Sequence, residues 1–157
     1  MNNKYELVDL PSIKAAALHL TIPRSDVSEE MGPAVNAVLG AITSSGLSPI
    51  GPMFAYHLSV SDTHFDFEVG FPISGDLALV GKVRTIELPA VSAFKTTHIG
   101  PYTGLYEAWS AFGAEYKARY PQQTSKQLFR EIYRVGPETT LDETKWETDL
   151  FIPISYS

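Results

Sequence analysis

The sequence predicts an α+β fold of two tandem, pseudo-symmetric ββαββ units, with antiparallel sheets, one helix per unit and a ligand cleft between the units. Two stretches carry helical periodicity, and short segments with strand signals flank each of them. The two halves also run in the same order: strand, strand, helix, strand, strand. That order marks an internal duplication.

The first helix is predicted over about Ser28 to Ser45. Ser28 with Glu29 and Glu30 suits a helix N-terminus, and Gly46 is a stop. Between them Val35, Val38, Leu39 and Ile42 recur at helical spacing. The second helix is predicted over about Thr103 to Arg119. Its apolar side is Tyr106, Trp109, Ala111, Phe112, Gly113 and Tyr116, and Pro121 ends it.

Strands are predicted at Tyr5–Leu10, Ile13–Leu20, Met53–Val60 and Phe65–Ile73 in the first half. Those of the second half are Val83–Leu88, Val91–His98, Gln127–Val135 and Glu147–Ile154. Alternation is clearest where Phe65, Phe67, Val69 and Phe71 face one way and Asp66, Glu68 and Gly70 the other. Leu10-Pro11 and Leu88-Pro89 both break a first hairpin. Val69-Gly70-Phe71-Pro72-Ile73 echoes Leu150-Phe151-Ile152-Pro153-Ile154. A prolyl nitrogen donates nothing to a ladder, so both closing strands end there or lie at an edge. The segment from Ser74 to Lys82 joins the halves. The whole chain, 1–157, reads as a single domain, with one repeat at about 4–76 and the other at about 82–155.

Composition narrows the function. Hydrophobic residues make up 44% and charged residues 19%, enough to pack an interior. The net charge is −6 with Lys and Arg scattered, so no direct nucleic-acid binding is expected. The chain has no cysteine, which excludes disulfides, thiolate catalysis and Cys-based zinc sites. No signal peptide and no membrane-spanning run is read, and the default expectation is a bacterial cytoplasmic protein. The histidines, His19, His57, His64 and His98, lack metal-ligand spacing, so neither a metal nor a cofactor is expected. There is no G-x-S-x-G elbow, and Gly100-Pro101-Tyr102-Thr103-Gly104 lacks the lysine of a phosphate loop.

Several motifs together resemble a known family. They are Glu87-Leu88-Pro89-Ala90, then His98-Ile99-Gly100-Pro101-Tyr102 opening a helix, the Tyr106–Trp109 segment, and Arg130-Glu131-Ile132-Tyr133 with a Gly-Pro soon after. The ending from Thr148 to Ile154 and the strand Asp66-Phe67-Glu68-Val69-Gly70-Phe71-Pro72 fit as well. In order and spacing these resemble the GyrI-like small-molecule-binding (effector-binding) domain over about Tyr5 to Ile154. The resemblance implies tandem ββαββ units. It also implies a binder of drug- or toxin-like molecules, with some members similar to hydrolases that open strained cyclopropyl rings of DNA-alkylating natural products. With no room for a helix-turn-helix before Tyr5, the chain looks like the stand-alone type.

By position in the resembled family, Glu131 is the central acidic residue of the pocket. Strand parity agrees with this, because Phe129, Glu131 and Tyr133 share one face. A carboxylate between two aromatics suits a cation, and when desolvated it can act as an acid or base. Most glutamates on strands are solvated, and it is the resemblance that raises Glu131 above that expectation. Pseudo-symmetry sets Tyr56 opposite Glu131, with Phe54 and Leu58 on its face. Asp149 and Phe151 match pocket-lining positions of the resembled family, although the resemblance implies a tyrosine where Phe151 stands. Glu68 is the repeat equivalent of Asp149. Tyr106 is expected in the core first and as a ligand contact second. Trp109 is expected to pack the helix while showing a ring edge to the pocket. Trp146 reads as a rim or surface anchor.

The leading expectation is a binding module for hydrophobic, aromatic or cationic small molecules, serving sequestration or sensing. The alternative is a cyclopropyl hydrolase with Glu131 and Trp109 as catalytic residues. The third is a protein-binding, gyrase-inhibitor-like factor. An exposed closing strand would permit a homodimer or a protein partner.

Overall fold

In the computed structural model of the protein, the described residues are 5–60, 63–78, 81–123 and 129–154. The predicted strand start at Gln127 and Leu128, the linker residues Leu79 and Val80, and the side chain of Ser28 lie outside them.

The fold is α+β, with antiparallel strand pairing and two α-helices. The strands are β1 (Glu6–Leu10), β2 (Ile13–Pro23), β3 (Phe54–Val60), β4 (His64–Pro72), β5 (Arg84–Leu88), β6 (Val91–Ile99), β7 (Phe129–Val135) and β8 (Glu147–Pro153). The helices are α1 (Val27–Ser44) and α2 (Leu105–Arg119). Each predicted element is present within a few residues of its expected bounds. β4 and β8 end at Pro72 and Pro153, where the prolines predict it.

The chain divides into two compact units: a central one, Pro11–Ala90, and a terminal one that combines the residues up to Leu10 with those from Val91 onward. The central unit carries the strand order β3-β4-β2-β5 and the terminal unit β1-β6-β8-β7. The first two strands of each half therefore do not form the hairpin that the sequence suggests. β1 pairs with β6, and β5 pairs with β2. The reason lies in the links, Pro11-Ser12 and Pro89-Ala90. A two-residue hairpin turns through positive φ, which proline cannot adopt. No described non-glycine residue has positive φ.

In the central unit Ala16, Val38, Ala41, Ile42, Ile73 and Val83 form the core, with Leu18, Leu47, Phe71 and Leu77 against it. Val35 and Leu39, predicted on the same stripe of α1, are only half-buried. The helix stops as predicted. Gly46 takes φ 75°, and the N–H groups of Gly46 and Leu47 donate to the carbonyls of Thr43 and Ile42 at 3.0 Å each.

The terminal unit is built on stacked rings. Phe94 lies 5.2 Å from Phe112 of α2 and 5.5 Å from Tyr5, and Leu150, Tyr116 and Ile154 complete the cluster. Burial of each such ring contributes about 1.5–3 kcal/mol. This packing holds α2 against one face of the β6-β8-β7 strands, and that face carries the candidate site.

Candidate ligand-binding site

Register decides which side chains meet. β7 and β8 pair Glu131 with Leu150 and Tyr133 with Thr148. Leu150 packs beneath Phe112 and Tyr116, so Glu131 and Tyr133 point under α2. Glu131 is buried, with 8% of its surface exposed. From α2, Trp109 Nε1 donates to Glu131 Oε2 at 2.6 Å, and Tyr133 Oη donates to Oε1 at 2.5 Å. Each carboxylate oxygen thus receives a donor mounted on an aromatic ring. Such charge-assisted bonds contribute roughly 1.5–3 kcal/mol each and offset the cost of burying the charge.

More rings surround this pair. Phe129 stands edge-on to Trp109 at 4.8 Å, and Tyr102 stands edge-on to Tyr133 at 5.8 Å. Trp146 lies 4.7 Å from Tyr102 and is buried rather than a surface anchor. The result is a buried carboxylate held by two polar ring edges, with further rings packed behind them, an environment suited to an organic cation.

Tyr133 bears the electrostatic mark of the site. Burial first, and then the Glu131 charge and hydrogen bond, hold its phenol well above the ordinary value of 10.0. The unfolded chain ionises Tyr133 near that ordinary value while the folded chain keeps the proton. The stabilisation is therefore present in full below about pH 10 and lost as pH rises beyond it. Alkaline unfolding of Tyr133→Phe is expected to show a shallower fall of stability above about pH 10 than the parent. Denaturant midpoints measured across that range test this, and identical slopes would refute it.

The other candidates are placed differently. Asp149 and Phe151 lie on the opposite face of β8 from Leu150, and so away from Glu131. There Arg134 Nε donates to Asp149 Oδ2 at 2.6 Å, Thr97 Oγ1 to Oδ1 at 2.8 Å, and the Lys95 ammonium lies 5.9 Å from the Phe151 ring. Asp149 is thus the hub of an ion-paired network. Tyr106 is 72% exposed, so it belongs neither to the core nor to the site. The cause is its angular place on α2: six residues before Phe112, it stands about 120° round the helix from it, on the outer side.

Tyr56, Phe54 and Glu68 belong to the central unit. Tyr56 pairs with Glu68 and Phe54 with Gly70, on the face turned away from α1. Glu68 is buried, and Arg84 Nη2 donates to its Oε2 at 2.8 Å. The residue opposite Asp149 on β7 is Ile132. When Glu68 is matched to Asp149, Ile132 rather than Glu131 stands where Tyr56 does. An offset of one residue moves a side chain to the other face of its strand.

The sequence reading missed Tyr102, and it placed Trp146 at the rim. The signal for Tyr102 was its place directly after Gly100-Pro101, at the mouth of α2. Among the described residues no group of three or more His, Cys, Asp or Glu side chains is arranged to hold a metal ion. None of the described helices is long and apolar enough to cross a membrane.

The profile of the GyrI-like small molecule binding domain matches residues 3–155. The chain belongs to the GyrI-like family. No curated protein matches it. Among solved structures it is similar to the EcmrR C-terminal domain, with TM-score 0.82, 20% identity and 100% of both chains covered. It is also similar to EcmrR in the EcmrR-RPo DNA complex, with TM-score 0.78 and 19% identity. There the match covers 99% of this chain but only 58% of that one, so the GyrI-like chain spans little more than half of its length. SAV2435 bound to tetraphenylphosphonium gives TM-score 0.71 at 14% identity, with 97% of this chain and 94% of that one covered. A hydrolase from Listeria innocua gives 0.64 at 16%, covering 97% and 92%. At such identities these likenesses establish the fold alone.

One expectation is corrected. The charge balance argued against direct nucleic-acid binding, yet this fold occurs in EcmrR, a protein observed in complex with DNA. The counterion argument applies to the surface that touches phosphate, and another part of a chain can supply that surface. The −6 charge of a GyrI-like domain therefore does not exclude nucleic-acid involvement in proteins built with it.

Proposed function

We propose that this GyrI-like chain binds hydrophobic, aromatic cations at Glu131, for sequestration or sensing. The observation that carries the reading is the buried Glu131 carboxylate held by the polar edges of Trp109 and Tyr133. A cation entering beside it exchanges those donors for its own charge and keeps the rings as walls. Burial of flat apolar surface supplies most of the affinity, and the carboxylate selects the sign of charge. The tetraphenylphosphonium complex of SAV2435 adds support by analogy.

Fluorescence titration with tetraphenylphosphonium tests the reading, because Trp109 touches the anchor directly. Glu131→Gln preserves size and removes the charge, and is expected to weaken binding of the cation about tenfold or more while leaving a neutral triaryl compound unaffected. Equal affinity of parent and variant for the cation would remove Glu131 from the site.

A second reading is favoured by the direct contact between the Tyr133 hydroxyl and the Glu131 carboxylate. Such a pair can relay a proton, so Glu131 could serve as general base toward water attacking a strained cyclopropyl ring, with Trp109 stabilising positive charge. The hydrolase from Listeria innocua shares the fold. Mass spectrometry of cyclopropyl-bearing alkylators after incubation separates the two readings. A ring-opened product carrying one added water, lost in Glu131→Gln, marks an enzyme.

A further inference from the structure

The Tyr102 ring connects Glu131 to a second carboxylate. A Cβ added to Gly136 would lie 2.8 Å from Tyr102 Oη and 3.1 Å from Glu138 Oε2, so hydroxyl and carboxylate flank the bare Cα of Gly136 together. The turn that carries Glu138 is well tied. The N–H groups of Thr139 and Thr140 donate to the Gly136 carbonyl at 2.9 and 3.1 Å, and Trp146 Nε1 donates to the Thr140 carbonyl at 2.9 Å. Trp146 in turn packs at a tilt against Tyr102. On its other side Tyr102 meets the Tyr133 ring, whose hydroxyl holds Glu131. Burial, then Glu138, then Glu131 raise the Tyr102 phenol above its ordinary value, which places both carboxylates within electrostatic reach of one ring.

A separate observation concerns the inner end. Thr148, the cross-strand neighbour of Tyr133, is fully buried, and its hydroxyl has no hydrogen-bond partner among the described residues. A buried hydroxyl left unpaired is unfavourable and is rare in native structures. It lies on the face of β8 that carries Leu150 beneath α2, beside the Glu131 anchor, where a ligand N–H could satisfy it.

We infer that the site takes an elongated dication, with an N–H-bearing head at Glu131 and Thr148, a second positive group at Glu138, and a flat spacer along Tyr102. This rests on the reading of Glu131 as the cation anchor. Amidinium and protonated amine heads satisfy the inner end, whereas a quaternary head leaves Thr148 unpaired. Glu138 is exposed, so its pairing adds selectivity rather than most of the affinity.

Calorimetric titration of the full chain tests this with pentamidine, a bis-benzamidine, and with the same ether carrying one amidine replaced by a nitrile. The bis-amidine is expected to bind about fivefold tighter, the upper end for an exposed ion pair. Glu138→Gln removes that preference and leaves the mono-amidine unchanged. Thr148→Val, nearly isosteric, weakens both amidines but not tetraphenylphosphonium. Equal binding of the two ethers by the parent overturns the proposal. So does an equal loss for both in Glu138→Gln, which marks general charge steering, and so does an indifferent Thr148→Val. If instead Glu131→Gln leaves every probe unaffected, the anchor reading fails and this inference goes with it.

Discussion

Gly70→Ala is expected to destabilise the central unit by more than about 4 kcal/mol, the range reserved for changes that a packed backbone cannot absorb. Gly70 lies two residues before the end of β4, flanked by Phe54 of β3 and Ala17 of β2. A Cβ there would lie 2.0 Å from the Ala16 carbonyl oxygen and 3.0 Å from Ala17 Cα. Both are backbone atoms of a paired strand, so no side-chain rotation relieves the contact. Relief requires β2 to move away from β4, which breaks ladder hydrogen bonds and lifts Ala16 out of the core. Gly113→Ala in α2 is the control. Nothing lies within 4 Å of its Cβ position, and the helix should gain up to about 1 kcal/mol. Urea midpoints of the two variants should therefore move in opposite directions. A Gly70→Ala protein with the parent midpoint would show that the strands are not in this contact.

Trp109→Phe is expected to raise the affinity for aromatic cations by about tenfold or more while costing about 1–3 kcal/mol of stability. In the free protein the indole N–H occupies Glu131 Oε2, so an incoming cation competes with it. Phenylalanine keeps the ring contacts with Phe112 and Phe129 but has no donor. The carboxylate then has one donor fewer in the free protein and gains more from a ligand. The two effects share one origin, so they should appear together in thermal shift and titration. Lower affinity in Trp109→Phe would mean that the N–H contacts the ligand rather than yielding to it.

Much of the fold was legible. Strand period, helix period, glycine stops and proline breaks are local features, and β4 and β8 end at the prolines that announce it. Pairing partners were not legible. Leu10-Pro11 and Leu88-Pro89 marked the breaks, yet the sequence suggested hairpins where β1 and β5 pair elsewhere. Proline states which turn is forbidden and is silent about where the strand goes instead. Of the candidate site, alternation put Glu131 and Tyr133 on one face, and it was the family resemblance that singled out Glu131. Trp109 was legible because helical spacing kept it on the packed side of α2. Tyr106 was misplaced because the helix stripe is narrower than its run of aromatics suggests.

What the sequence determined by itself was the periodic content: which residues share a face and where each element stops, since these depend on neighbours a few positions away. Only the tertiary structure decided register and cover. It set Glu131 across from Leu150 and beneath α2, turned Asp149 and Phe151 to the opposite face, and packed Tyr102 against Tyr133 and Trp146. A slip of one residue between strands reverses every face, and no local pattern records which long-range pairing closes the sheet.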